Sequence, residues 1–282
     1  MNKPTIVVCD QIHEFGLEIL EKTDDIHYIN ATGVDKSTLY EIIKEAQVCI
    51  TRSSTDVDED FLNAGTQLKA IVRAGVGVDN VDINACSKRG IIVMNVPTAN
   101  TIAATELTIA HLLSCMRKLP YAHTQLKDDR IWKREDWYGQ ELHGKKLGVI
   151  GFGNIGHRVA LRAKAFEMDV LTYDPYIPST KATDLGIRYT TDFNDILACD
   201  VITIHTPKNR ETVNIIDEKE IALMKDGVIL INCARGGLYN EEALYNNLKS
   251  GKIFMAGIDV FDKEPAINNP LLELSNITVT AH

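Results

Sequence analysis

Gly151-Phe152-Gly153-Asn154-Ile155-Gly156 follows the apolar run Leu147-Gly148-Val149-Ile150 and opens a helix-patterned stretch, His157-Arg158-Val159-Ala160-Leu161. In a strand–turn–helix setting each glycine has its own task. The first makes the tight turn, the second lets a pyrophosphate approach the backbone, and the third lets helix and strand pack closely. The start of the helix offers free N–H groups and a partial positive charge to the phosphates. A second strand-like run, Val170-Leu171-Thr172-Tyr173, ends at Asp174, about twenty residues on, where this fingerprint places its acidic residue. A carboxylate there accepts from both ribose hydroxyls and repels a 2′-phosphate. Pro175 and Tyr176 follow it, not arginine. The pattern predicts NAD rather than NADP.

Further polar residues fall just past apolar runs. Arg235 lies beyond 228–232, and Asp259 and Glu264 lie beyond 254–258. Open α/β sheets bind ligands at such strand ends. Spacing alone leaves each open between a working group and a bland one: a solvated Arg, a capping Glu, a frayed His282. In the first third, Gly75-Val76-Gly77 follows the run at 70–73. Its successive N–H groups can cradle an anion, while Asp79 or Asn80 can cap a helix starting at Val81. Arg52 and Arg73 also follow apolar runs, and singly each reads as a solvated charge. The other histidines show no metal-ligand spacing, and no metal is expected. Cys233 has no base beside it in sequence, so no catalytic thiol is expected.

The elements that must hold these residues alternate along the chain. Apolar runs rich in Val and Ile at 6–9, 26–29, 48–51, 70–73 and 91–94 are separated by helical patterns at 14–22, 36–46 and 81–88. A helical stretch from about 101 to 118 and a polar segment bearing Trp132, Trp137 and Tyr138 come next. A second series of strands follows at 147–150, 170–173, 201–205, 228–232, 254–258 and 277–280. Strand–helix alternation predicts βαβ units and parallel sheets. The organisation expected is two doubly wound α/β domains, 1–97 and 98–282. The tryptophan segment reads as an arm at a subunit seam or as a cover for the chain's own surface.

The charge balance, 30 Lys and Arg against 39 Asp and Glu, gives −9. It argues against a broad nucleic-acid surface. The start of the chain shows no signal-peptide core, and no apolar run is long enough to cross a membrane. The 6 cysteines are scattered without a C-x-x-C pair, which suits buried free thiols in a reducing cytoplasm.

The order of Gly151–Gly156, Asp174, His205-Thr206-Pro207, Asn232-Cys233-Ala234-Arg235-Gly236-Gly237, Asp259-Val260-Phe261, Glu264-Pro265 and His282 resembles the D-isomer-specific 2-hydroxyacid dehydrogenase family. Arg52-Ser53-Ser54-Thr55 and the Arg73–Asn80 stretch extend the likeness. The resemblance implies a Rossmann-like NAD domain and a flavodoxin-like substrate domain, with the active site in the cleft between them. By this likeness His282 is the acid/base, Glu264 its partner, and Arg235 the cation that holds a carboxylate and polarises a carbonyl. Val76, Gly151, Gly153, Asn154, Ile155, Gly156, Asp174, Thr206, Cys233, Ala234, Arg235 and Asp259 are then expected around NAD, with Asp259 accepting from the carboxamide. Arg52, Arg73, Gly75, Val76, Gly77 and Asn100 are expected on the substrate side. Arginines at 52, 73 and 235 suit a small acid bearing both a carboxylate and a phosphate. A reductase of glyoxylate, hydroxypyruvate or another 2-oxo acid, and an NAD-sensing protein with little turnover, stay open. The family continues past the catalytic histidine into a segment that returns to the first domain, whereas this sequence stops at His282. A homodimer is expected, with the long helix and the tryptophan arm as its seam.

Overall fold

The computed structural model describes residues 3–282. The chain divides into a unit ending at Asn100 and a unit spanning Thr101–His282. The division falls a few residues beyond the expected seam at 97. The Val96 N–H donates to the Gly75 carbonyl at 3.0 Å and keeps that stretch with the first unit.

In the first unit β1 (Thr5–Val8), α1 (Glu14–Glu21), β2 (His27–Asn30), α2 (Lys36–Ile43), β3 (Val48–Thr51), α3 (Glu59–Ala64), β4 (Ala70–Arg73), α4 (Ile83–Lys88) and β5 (Ile92–Asn95) alternate. The strands form a parallel sheet in the order β2-β1-β3-β4-β5. The direction of winding reverses at β1/β3, as in flavodoxin-like sheets. Ile43, Cys49, Phe61, Ile71 and Cys86 are fully buried in one apolar cluster. Asp35, Asp58 and Asp82 cap α2, α3 and α4 by accepting from first-turn N–H groups. The helix expected from Val81 thus begins at Ile83, and its cap is neither Asp79 nor Asn80. Val81 bridges Val57 in extended conformation, with Asp82 N–H donating to Val57 O at 2.9 Å, so the backbone cannot turn helical there.

The second unit opens with α5 (Thr101–Arg117) and α6 (Leu119–Lys127). The helix expected at about 101–118 is α5, which ends at Arg117; at Lys118, where φ is 50°, the chain turns into α6, with Pro120 in its first turn. A 3-10 turn at Arg134–Trp137 leads to β6 (Lys146–Ile150), α7 (Gly156–Ala165), β7 (Asp169–Tyr173), α8 (Ser179–Thr183), β8 (Arg188–Tyr189) and α9 (Phe193–Leu197). β9 (Val201–Ile204), α10 (Glu218–Leu223), β10 (Val228–Asn232), α11 (Glu241–Ser250), β11 (Ile253–Ile258) and β12 (Ile277–Val279) complete the unit. The 7-stranded sheet runs β12-β11-β10-β9-β6-β7-β8, all parallel.

Along β10, Val228 and Leu230 enter one apolar cluster while Ile229 and Ile231 enter the other. The sheet is therefore buried on both faces, which is why its strands read as unbroken apolar runs. The order reverses between β6 and β9, the switch point outside which open sheets bind ligands. Trp137 stacks on Tyr121 at 6.1 Å and donates through Nε1 to Gln125, so it covers the chain's own surface. Trp132 is 77% exposed and Tyr138 74%. Among the described residues no helix is long and apolar enough to cross a membrane. All six cysteines are free and buried.

Candidate active site

The glycine turn joins β6 to α7. Gly151 has φ +87°, and a Cβ on it would lie 2.7 Å from the His205 carbonyl oxygen. A Cβ on Gly156 would lie 1.9 Å from the Gly151 carbonyl oxygen, so turn and helix touch backbone to backbone. Gly153 differs, because nothing in the protein lies within 4 Å of where its Cβ would sit. The fold therefore gives no reason for glycine at 153, whereas a phosphate lying against the turn does. Ile155 caps α7 without a side-chain hydrogen bond. His157 Nδ1 meets Gly153 O at 2.6 Å, and Arg158 Nη1 donates to Asn154 O at 2.6 Å. Both stiffen the turn, and neither was singled out in the sequence.

Asp174 closes β7 beside this turn. It is 8% exposed; its Oδ2 accepts from Phe152 N–H at 2.8 Å and its Oδ1 from Tyr176 N–H at 2.9 Å. The carboxylate is thus fixed by the very turn it serves. Past β9, Thr206 lies against Gly151. The buried Thr206 Oγ1 and His205 Nδ1 have no hydrogen-bond partner among the described residues. Unpaired buried polar atoms beside a phosphate-type turn suit a polar ligand. Burial pushes the His205 imidazole down to about 3.

Asn232, the last residue of β10, is 2% exposed and clips the next loop at two points. Its Oδ1 accepts from Ala234 N–H at 3.0 Å, and its Nδ2 donates to Arg235 O at 2.9 Å. This fixes the backbone from which Cys233, Ala234 and Arg235 project. Sequence reading gave Asn232 no role, though Asn at a strand end before a loop is a recognisable Asx-turn signal. Arg235 Nη1 donates to Ala234 O at 2.7 Å. Cys233 is buried, which raises its thiol to about 12, so no thiolate forms near neutral pH.

The loops after β10 and β11 press together. A Cβ on Gly236 would lie 1.8 Å from Phe261 O and 2.7 Å from Asp262 N. Lys208, after β9, pairs with Asp262 at 3.0 Å over Gly237. Glu264 Oε1 accepts from Phe261 N–H at 3.0 Å, while its Oε2 meets His282 Nδ1 at 3.0 Å. The carboxylate thus ties the loop after β11 to the residue beyond β12 and holds the ring by one nitrogen, Nδ1. Asp259 is 7% exposed; its N–H donates to Asn232 O at 3.0 Å and its Oδ1 accepts from Thr280 Oγ1 at 2.6 Å. Arg235, Asp259, Glu264 and His282 therefore stand at the same ends of three neighbouring strands.

In the first unit Asp10, 6% exposed, gathers the loop after β3. Its carboxylate accepts from Arg52 N–H, and from the Thr55 N–H and hydroxyl at 3.2 and 2.7 Å. Asn80 Nδ2 donates to the carbonyls of Arg52 and Thr55 at 2.7 and 2.6 Å. The Arg52 guanidinium donates to Gln11 O at 3.1 Å. Arg73 ends β4 and lays its guanidinium along Gly75. Asn95 Nδ2 donates to Val76 O at 2.7 Å and steadies the Gly75–Gly77 turn. Asn100 is exposed just before α5. The geometry thus places Arg52, Arg73, Gly75, Val76 and Gly77 at the ends of β3 and β4. Asp10, which shapes those loops, escaped sequence reading, and Asn80 was read only as a helix cap, because their partners are far away in the chain.

Residues 109–282 match the family described as D-isomer specific 2-hydroxyacid dehydrogenase, NAD binding domain. The D-3-phosphoglycerate dehydrogenase of Methanocaldococcus jannaschii is 46% identical over 98% of this chain and 52% of its own length. The hydroxypyruvate reductase of Thermotoga maritima is 40% identical over all of this chain and 92% of its own length. Among solved structures, D-lactate dehydrogenase from Aquifex aeolicus, complexed with NAD and lactic acid, aligns with TM-score 0.86 and 31% identity, covering 98% of this chain and 87% of that one. The chain spans about half the length of the D-3-phosphoglycerate dehydrogenases it matches. It belongs to the D-isomer-specific 2-hydroxyacid dehydrogenase family, and its second unit carries the family's NAD-binding domain.

Proposed function

We propose that this protein transfers a hydride between NAD and a D-2-hydroxy acid, with 3-phospho-D-glycerate and 3-phosphohydroxypyruvate as its substrate pair. The observation that carries the reading is the 3.0 Å contact between Glu264 and His282, set beside the Arg235 loop by the packing of Gly236 on Phe261. Bound NAD supplies the hydride acceptor. The chain's part is proton transfer, orientation and charge. His282 Nε2 takes the hydroxyl proton in oxidation and returns it in reduction. Imidazole suits both directions because it titrates near neutral pH. Glu264 holds Nδ1, fixes the ring and supports the imidazolium. The Arg235 guanidinium holds the substrate carboxylate as a bidentate fork and draws charge onto the oxygen being reduced. Asp174 receives the adenosine ribose, the Gly151–Gly156 turn the pyrophosphate, and Asp259 the carboxamide.

On the substrate side we assign the carboxylate to the Gly75-Val76-Gly77 turn and the phosphate to Arg52 and Arg73, and we assign Asn100 to the substrate as well. Support comes from D-3-phosphoglycerate dehydrogenases at 40–46% identity. The hydroxypyruvate reductase match over 92% of that protein's length favours a second reading, a reductase of unphosphorylated 2-oxo acids. An NAD sensor without turnover would give Glu264 and His282 no reason to meet. A homodimer in the cytoplasm completes the proposal. The test is NADH oxidation with 3-phosphohydroxypyruvate, hydroxypyruvate and glyoxylate, on wild type and Arg52→Ala. Our reading expects the phosphorylated acid to have the highest kcat/KM and Arg52→Ala to penalise it alone. An equal loss on all three acids would remove the phosphate assignment.

A further inference from the structure

α5 presents His111 and Cys115, four residues apart and so on one helix face, to the last two strands. His111 is 4% exposed. Its ring has space at β11 because Gly257 lacks a side chain; a Cβ there would lie 2.8 Å from the His111 Cβ. Nδ1 is 2.9 Å from Thr278 Oγ1, and Nε2 is 2.9 Å from Thr280 Oγ1. Thr280 Oγ1 also donates to Asp259 Oδ1 at 2.6 Å. Cys115 Sγ lies 3.4 Å from Thr278 Oγ1.

The donor and acceptor roles follow from what each group can do. A carboxylate only accepts, so the single Thr280 hydroxyl proton points at Asp259. Thr280 Oγ1 must then accept from His111, which puts a proton on Nε2. Burial holds the ring below its ordinary pKa, so it is neutral and Nδ1 accepts from the Thr278 hydroxyl. Thr278 Oγ1 can then accept from Cys115 Sγ–H. Every donor points the same way, toward Asp259 Oδ1. Aligned hydrogen bonds polarise one another, and a ring held at both nitrogens cannot turn.

We infer that His111 is a positioning residue: through Thr280 it fixes the Asp259 carboxylate so that Oδ2 faces the nicotinamide carboxamide. The inference rests on the proposed role of Asp259. It adds that this role is set from α5, and that the threonine doing it stands two residues before His282 in the same strand end. Cofactor grip and acid/base placement thus share one anchor.

The test is fluorescence titration of the full chain with NADH and with reduced 3-acetylpyridine adenine dinucleotide, in which a methyl replaces the carboxamide NH2. His111→Leu and the near-isosteric Thr280→Val should each weaken NADH binding about tenfold, the worth of about 1.4 kcal/mol for one hydrogen bond to a charged group. Neither should shift the acetylpyridine analogue, which has no N–H to offer Asp259. His111→Gln, which keeps an N–H donor, should recover much of the loss. Equal weakening of both dinucleotides, or of neither, would overturn the inference and leave His111 a packing residue. Asp259→Asn is the control on the underlying reading. If it too fails to distinguish the dinucleotides, the carboxamide assignment itself is wrong. If it distinguishes them while His111→Leu does not, only the relay is wrong.

Discussion

Gly151, Gly153 and Gly156 are glycines for three different reasons, and single alanine substitutions should separate them. At Gly156 the new methyl would meet Gly151 O at 1.9 Å. Backbone on both sides must part by about an ångström, an overpacking cost of about 3 kcal/mol. For a unit of this size that lowers Tm by roughly 6–12 °C. At Gly151 the positive φ, +87°, adds about 1–2 kcal/mol of left-handed strain to a 2.7 Å contact with His205 O. At Gly153 the methyl meets nothing within 4 Å. Gly153→Ala should keep or slightly raise Tm, since alanine restricts the unfolded chain by about 0.4–1 kcal/mol. Its effect should fall on the cofactor, because the methyl holds the pyrophosphate off the backbone. Losing one or two charge-assisted hydrogen bonds, about 1.5–3 kcal/mol, loosens NADH by roughly ten- to a hundredfold. Thermal melts and NADH titrations on the three variants are the assay. If Gly153→Ala binds NADH like wild type, or melts as low as Gly156→Ala, the turn is not where the phosphates lie.

Three further outcomes follow from the same geometry. Asp174→Asn keeps an acceptor for only one of the Phe152 and Tyr176 N–H groups and turns its NH2 on the other, so the protein should lose about 1–3 kcal/mol of stability while its NAD-over-NADP preference shrinks by about tenfold or more; an unchanged ratio in Kd measurements would contradict the ribose assignment. His282→Asn should lower kcat by about 10²–10⁴, the usual worth of a positioned acid/base, and Glu264→Gln by less, with NADH Kd unmoved in both; a shifted Kd would mean that the pair serves binding. For His205, the folded chain binds a proton only near 3 and the unfolded chain near 6.5. The unfolded state therefore holds more protons in between, so stability is full above that window and falls with pH by at most about 1.4 kcal/mol per unit. Urea midpoints at pH 7.5 and 5 should differ in wild type more than in His205→Gln; equal differences would show that another group carries the acid sensitivity.

Legibility in the sequence followed the range of the interactions. Strands buried on both faces announce themselves as apolar runs, and β3, β4 and β10 fall where 48–51, 70–73 and 228–232 were expected. The glycine turn was readable because its constraints are local. β8, two residues long, has too few positions to show a period. α6 shows no apolar stripe in the sequence because none of its residues is fully buried. The α4 cap was misplaced because a bridge from Val57, distant in sequence, holds Val81 extended. At the site, residue types at strand ends were readable while their supports were not. The Asn232 clip is local and could have been found; the Asp10 and His111 networks join distant segments and show only once folded.

The most direct test of the central claim is a crystal structure of the protein with NADH bound. The account predicts the adenosine ribose hydroxyls on the Asp174 carboxylate, the pyrophosphate over Gly153, and the carboxamide N–H at Asp259 Oδ2. A ribose away from Asp174, or a nicotinamide ring away from the ends of β10, β11 and β12, would contradict it.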